Sequence, residues 1–357
     1  MPLRTVGYGG NHMAGWRKSH YLLGTMLALF VALANLGCRQ TDDGGGNGKG
    51  TTPKPKPKTY TWGGPKNISM APIVADQQGF FTQEGINVKP NYIQTGKMAM
   101  DAVVSKDIDF GVLVETNIAF IKYQPGADVQ IVCAIEEKHD DAIVARRDRG
   151  IKGPKDLKGK TLAILSATTS HVFADRFLKA NGVAPGEVKT VNLTPPAMQA
   201  AVINGDVDAA SVWQPFRYNV LKALGNKAVE LNDPGVYTAY AVVAVRKEFA
   251  EKNPEAVKSF VRALIKAESY IKGSPDQAIP ALAKEIDIDA GVLRKIWGEY
   301  SVRINLDAKL LATIREEGSW IHETQKGFGD KTVPAYSDAI NSTFLAEVDA
   351  SRVTLPK

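Results

Sequence analysis

Residues 191–216 read VNLTPPAMQAAVINGDVDAASVWQPF. A strand pattern is followed by a turn, a helical run and the phrase Asn204-Gly205-Asp206-Val207-Asp208-Ala209-Ala210, and a short apolar strand then ends in Trp213-Gln214-Pro215-Phe216. An earlier stretch is built alike, with a helical run over residues 98–105 and then Lys106-Asp107-Ile108-Asp109-Phe110-Gly111. Two copies of helix, x-Asp-x-Asp and short strand predict two similar α/β lobes with a cleft between them. Such a cleft suits binding and release of a small ligand rather than chemistry on it.

The alternation extends in both directions. Residues 59–62, 87–92, 109–113, 129–135 and 142–145 read as strands, and 72–81, 96–105 and 116–123 as helices. In the second strand Val88 and Tyr92 are the inward candidates. Residues 153–160 form a helical turn into strand 161–164, and helix 170–181 ends at Gly182, the usual place for a C-terminal glycine. Segments 187–192, 196–204, 208–212 and 216–224 continue the pattern, and strand 240–245 returns the chain to the first lobe. This spacing defines α/β units. Beyond it, 255–272, 275–284, 290–300 and 308–326 carry apolar residues three and four apart, which predicts helices packed on the first lobe.

The N-terminal region is different. Arg17 and Lys18 precede an apolar run over residues 21–36, and Gly37-Cys38 follows. A basic head, an apolar segment and a small residue before the cut describe a secretory signal peptide, here residues 1–37 with Met13 as the expected true start. The run is short of the roughly 20 apolar residues that span a bilayer, and Gly24, Thr25 and Asn35 interrupt it. Cys38 stands where a bacterial lipoprotein carries its lipidated cysteine. Leu36-Gly37 fits that pattern, whereas Asn35 occupies a position where it prefers Leu; ordinary cleavage with a free thiol is the alternative. Residues 38–58, Gly-rich and then alternating Pro and Lys, cannot bury enough surface to fold and read as a tether.

The chain has 357 residues and a net charge of +6, but that excess lies outside the body. The leader holds Arg4, Arg17 and Lys18 with no acid, and the tether five basic residues against Asp42 and Asp43, which leaves the body from Thr59 onward neutral. A nucleic-acid binder would carry its basic excess on the folded domain, so that class is excluded; a basic tether suits anionic membrane lipid instead. Cys38 and Cys133 are the two cysteines, and Cys133 sits in an apolar run as a core residue. There is no metal-type Cys or His spacing.

From Thr59 to about Val348 the chain resembles the solute-binding proteins that serve ABC transporters for nitrate, sulfonates and taurine. APIVADQQGFFTQEGINV (71–88), DLKGKTLAI (156–164) and AVRKEFAEKNPEAVKSF (244–260) carry the resemblance by order and spacing. VNLTPPAMQAA and RKEFAEKNPE are most similar to taurine-binding proteins. The resemblance implies an α/β two-lobe periplasmic-binding-protein fold (type II) with a helical C-terminal part packed on lobe 1. Lobe 1 would comprise 59–144 plus 240–357 and lobe 2 145–239, joined by two crossing strands near 143–146 and 239–245. It further implies an exported, lipid-anchored monomer without a cofactor. Such a protein captures a small anionic or zwitterionic ligand and delivers it to ABC permease subunits. Sulfonates, taurine among them, lead; a nitrate-like anion or a pyrimidine vitamin precursor is the alternative.

In open α/β sheets ligands bind beyond the carboxyl ends of strands, where helices begin, and free N–H groups at a helix start favour an anion. This selects Ser166-Ala167-Thr168-Thr169-Ser170-His171, with Thr168, Thr169 and Ser170 as donors to an anionic group and His171 beside them. A plain helix cap is the alternative; the resemblance favours the site, because similar proteins hold the anionic group with this loop. Trp213 and Gln214 end a second-lobe strand, and in the resembling family a Trp, a polar residue and Pro lie at the cleft; a core Trp is the alternative. In the first lobe Ser69 and Met70, Thr95 and Gly96, and Glu115, Thr116 and Asn117 occupy strand–helix junctions. Glu115 either favours the helix dipole or, facing the cleft, repels a plain anion and attracts an amine. With Asp141 it would suit a zwitterion such as taurine, whose ammonium meets a carboxylate while its sulfonate meets the second-lobe donors.

Enzyme signatures are weak. Residues 44–50 look phosphate-loop-like, but Gly50 follows Gly48-Lys49 where Ser or Thr is required. No G-x-S-x-G elbow exists, and the body's histidines are His139, His171 and His322. Thiamine-pyrimidine synthases resemble this fold but carry a Cys-rich motif, against two cysteines here. No catalytic residue and no metal site are expected.

Overall fold

Strand β1 (Thr59–Gly64), helices α1 (Met70–Gln77) and α2 (Phe80–Gln83), strand β2 (Asn87–Tyr92), helix α3 (Gly96–Val104), strand β3 (Phe110–Val114), helix α4 (Glu115–Ile121) and strand β4 (Val129–Lys138) build the first half of one sheet. They belong to a computed structural model that describes residues 58–184 and 186–356. The expected signal peptide, Cys38 and the tether to residue 57 lie outside the described residues. The single helix expected over 72–81 is two, because Gly79 takes the left-handed conformation at φ 67° and turns the chain. Tyr92, an inward candidate, is 39% exposed; its ring meets the edge of Trp62, and Lys66 Nζ lies 4.6 Å from its centroid.

The chain leaves this sheet after Lys138, and β5 (Ala142–Arg146) opens the second. There β6 (Thr161–Ile164), α5 (Thr169–Ala180), β7 (Lys189–Asn192), α6 (Pro195–Asn204), β8 (Ala209–Val212), α7 (Phe216–Leu224) and β9 (Ala228–Leu231) follow, and β10 (Ala239–Arg246) returns to the first sheet. The sheet orders are β12-β11-β4-β10-β3-β1-β2 and β7-β6-β8-β5-β9. The passages between sheets are therefore residues 139–141 and 232–238, and residues 143–146 pair with β8 and β9 just after the first of them. β9 was not legible in the sequence; its four residues lack clear alternation.

The twin Asp motifs do the same work in both sheets. Asp109 Oδ2 accepts the Thr61 N–H at 2.9 Å and Asp208 Oδ2 accepts the Thr161 N–H at 2.9 Å. Each carboxylate accepts a backbone N–H of the neighbouring parallel strand, at the third residue of β1 and the first of β6. Arg246 then donates to the carbonyls of Val103 and Ile108, and Arg146 to those of Val202 and Ile203. Repeated sequence has become repeated geometry.

After β10 come α8 (Lys247–Lys252), α9 (Pro254–Gly273), α10 (Pro275–Glu285), α11 (Ala290–Ile296), β11 (Tyr300–Asp307), α12 (Ala308–Thr324), α13 (Thr343–Asp349) and β12 (Val353–Thr354). The helices pack on the first lobe as expected: Phe260 of α9 stacks on Phe110 of β3 at 4.1 Å between centroids and on Phe81 at 4.9 Å. The helix expected over 290–300 stops early. Val302, Ile304 and Leu306 alternate inward, and β11 pairs antiparallel with β4, placing Tyr300 opposite Lys138 and Val302 opposite Glu136. Cys133 lies in β4 with no exposure, and burial pushes its thiol up. Among the described residues no helix is long and apolar enough to cross a membrane.

Candidate functional site

The carboxyl ends of β1, β2 and β3 face those of β6 and β8, and between them lies a cavity of about 40 Å³. The first lobe contributes Pro65, Asn67 and Ile68 after β1, Gln94, Thr95 and Gly96 before α3, and Val114 and Asn117 at the start of α4. The second lobe contributes Thr168, Thr169 and Trp213, and Lys138 enters from the end of β4. Helix starts from both lobes therefore converge on one space, which is where unpaired N–H groups and helix dipoles favour negative charge.

The local structure explains each position. Thr95 caps α3 by accepting the Met98 N–H at 3.2 Å. Asn117 turns its Oδ1 back to the Val114 N–H at 3.2 Å. A Cβ on Gly96 would stand 2.4 Å from that Oδ1, so only glycine lets α3 and α4 approach this closely. Trp213 is half-buried and meets the edge of Phe216 at 6.2 Å, which makes it an apolar wall.

Several expected residues stand behind the lining. Ser69 is buried with its hydroxyl donating to the Pro65 carbonyl at 2.7 Å, and Met70 is core. Thr116 donates to Glu317 at 3.0 Å. Glu115 does not face the cleft: it has no exposure, and its oxygens accept from Tyr237 Oη and the Tyr240 N–H at 2.8 Å. Asp141 is 3% exposed and accepts from Thr169 Oγ1 at 3.0 Å. Gln214 is buried as a bridge, donating to Glu299 and accepting the Tyr218 N–H at 3.1 Å. His171 faces a separate groove with Asp175, its ring 4.9 Å from that of Trp320, and burial lowers its pKa.

The loop before α5 also differs in what it offers. The Thr168 hydroxyl donates to the Leu165 carbonyl at 2.6 Å, that of Thr169 to Asp141, and that of Ser170 to the Ser211 carbonyl at 2.7 Å. All three hydroxyl protons are spent within the protein. The N–H groups of Thr168, Thr169 and Ser170 have no acceptor among the described residues, so the backbone is the donor set.

Lys138 is the residue that sequence reasoning missed. It is 2% exposed and pairs with Asp140, with Asp141 Oδ2 at 3.9 Å. Burial alone would lower its pKa, but Asp140 and Asp141 hold the ammonium above the ordinary lysine value. Burial pushes Glu136 up to about 8 and Asp141 up to about 7, in both cases against the pull of Lys138. A signal was available: Glu136, Glu137 and Lys138 continue the β4 alternation, with Glu136 and Lys138 buried and Glu137 between them less so.

The lobes touch around the cavity. Arg217 donates to both oxygens of Glu299 at 3.1 and 3.0 Å, Asn67 Nδ2 to the Gln214 carbonyl at 3.3 Å, and Trp320 Nε1 to Asp175 at 2.8 Å. This is a closed arrangement: polar links join the lobes, and one cluster of buried apolar residues runs from the first lobe into the second through Ile143, Leu162, Phe173 and Phe177. No group of His, Cys, Asp and Glu among the described residues is placed to hold a metal.

Comparison with known proteins agrees with this architecture. The profile described as NMT1/THI5 like matches residues 67–278. The taurine-binding periplasmic protein of Escherichia coli (strain K12) is 32% identical over 208 residues, which is 58% of this chain and 64% of that protein. Among solved structures, the periplasmic aliphatic sulphonate binding protein of Escherichia coli superposes with a TM-score of 0.66 at 21% identity, covering 75% of this chain and 93% of the other. The alkanesulfonate-binding protein from Xanthomonas axonopodis pv. citri, bound to MOPS, superposes with a TM-score of 0.67 at 18% identity, covering 85% and 100%.

Proposed function

Since this chain belongs to the NMT1/THI5-like family, we propose that it is an extracytoplasmic solute-binding lipoprotein of an ABC importer that captures a small organic sulfonate between its lobes. The observation that carries the reading is the cleft itself: helix starts with free N–H groups meet Lys138 around one space. A sulfonate presents three oxygens to such donors and an apolar body to Ile68, Val114 and Trp213. The 32% identity to a taurine-binding protein supports the same class. Closure would bring Arg217 to Glu299 and Asn67 to Gln214, and the closed pair of lobes would be the shape offered to the permease.

A thermal-shift screen of ethanesulfonate, longer alkanesulfonates, taurine, nitrate and pyrimidines tests the ligand class. A ligand at 100 times its Kd adds about 2.7 kcal/mol of stability, a shift of several degrees in Tm. Stabilisation by sulfonates is expected. A shift with nitrate or a pyrimidine alone would move the assignment to that ligand, and silence across the panel at millimolar concentration would refute it.

We also infer the anchor from Leu36-Gly37-Cys38 and the polar tether. Cys38 is expected to be the mature N-terminus and to carry lipid. Intact-mass analysis of membrane-extracted protein checks this; a bare thiol or a different N-terminus would end the claim. Cys38→Ser should release the protein or leave its signal uncleaved.

A further inference from the structure

We propose that Lys138 reads the charge of the ligand, so that the cleft takes a monoanion with an uncharged body and discriminates against zwitterions such as taurine. This deepens the sulfonate reading and rests on it.

Lys138 is the only ionisable residue among the described residues that line the cavity. An ammonium has three donors. One goes to Asp140 Oδ1, and Asp141 Oδ2 at 3.9 Å is beyond hydrogen-bond reach. Two donors on a nearly fully buried cation are thus unspent beside the cleft. Asp141 ties this cation to the α5 start, since its other oxygen accepts from Thr169 at 3.0 Å. An anionic oxygen at the α5 N–H groups therefore lies on the side of the cavity that Lys138 serves.

The charges around Lys138 leave its field available. Glu136 stands two residues away on the same strand, Tyr300 is opposite on β11, and Asp140 and Asp141 follow in the chain. Burial pushes Glu136 and Asp141 toward the neutral form, and Asp140, hydrogen-bonded to Lys138, is the nearest counter-charge. Arg217 and Glu299 answer each other.

A ligand ammonium has no such reception. Among the described residues no carboxylate lines the cavity, and its neutral polar groups include Asn67 and Gln94; Asp141 Oδ2, which has no hydrogen-bond partner, is buried 3.9 Å from Lys138 Nζ and answers that cation. Glu115 sits behind the wall with both oxygens engaged. Burying a second cation near Lys138 without a partner is unfavourable on desolvation and on repulsion.

The test is calorimetric titration of ethanesulfonate, taurine and neutral ethyl methyl sulfone. Each is titrated into the wild type and into the double variant Lys138→Gln/Asp140→Asn, which exchanges the ion pair for a neutral hydrogen-bonding pair of similar shape. The wild type is expected to bind ethanesulfonate about ten-fold or more tighter than taurine, and the variant to lose roughly 10- to 100-fold for ethanesulfonate, with the sulfone changed by no more than about three-fold. Unchanged ethanesulfonate affinity in a folded double variant overturns the role of Lys138 and leaves the sulfonate reading standing. Should the variant not fold, the wild-type comparison decides alone: taurine binding as tightly as ethanesulfonate overturns the charge rule. A wild type that binds neither sulfonate overturns the sulfonate reading, and this inference with it.

Discussion

Replacing Lys138 with Met is expected to destabilise the protein by roughly 3–5 kcal/mol at pH 8.5 and by much less at pH 5, because the variant leaves buried carboxylates without their counter-charge. Asp140 is fully buried, Asp141 and Glu136 nearly so, and all three lie within the field of this one ammonium. As pH falls Glu136 and Asp141, which burial already pushes toward the protonated form, take up protons and their uncompensated charge disappears, so the loss should shrink. Urea unfolding of wild type and variant at the two pH values checks this. A loss of equal size at both would mean that Lys138 contributes packing alone.

Glu136→Met is expected to act in the opposite direction. Both Glu136 oxygens are buried and lack a hydrogen-bond partner among the described residues. Burial holds its pKa up at about 8, above the ordinary value of 4.5. Between those values the folded state keeps a proton that the unfolded chain has released, so this group's contribution is full below pH 4.5 and is lost as pH rises toward 8. The variant lacks that loss. Its stability relative to wild type should therefore climb by about 1 kcal/mol per pH unit from pH 5 to 8. Parallel stability curves for the two proteins would show that Glu136 is ionised in the fold. The neutral state matters for function, because an ionised Glu136 would offset the positive charge that Lys138 brings to the cavity.

The element order was largely readable because it rests on local regularities. Alternation made β2 visible, continuous apolar runs made β4, β5 and β10 visible, and three-four spacing made α9 and α12 visible. The doubled x-Asp-x-Asp phrase exposed the repeat, since a carboxylate one residue before the buried Phe110 or Ala209 accepts a backbone N–H of the neighbouring parallel strand in each sheet. The missed strands were β9 and β12, short and at sheet edges, and β11, inside the first sheet, whose strand state depends on a partner distant in the chain.

At the site the junction residues Thr95, Gly96, Asn117, Thr168, Thr169 and Trp213 were readable, because strand ends and helix starts are local events and ligand clefts form there. Which polar side chain faces the cavity was not. Glu115 begins a helix at the right junction, yet Tyr237 and the Tyr240 N–H, over a hundred residues away, draw it inward. Thr169 and Ser170 occupy the expected turn, yet Asp141 and the Ser211 carbonyl claim their hydroxyls. Lys138 sits in a charged run that reads as solvated, and it is buried because β10 and β11 flank the end of β4 and close over it. Periodicity and chain punctuation thus determined the two α/β lobes and where their cleft lies. Only the tertiary structure decided the charge that the cleft presents, because side-chain direction at a strand end depends on long-range pairing and on which buried groups must satisfy one another.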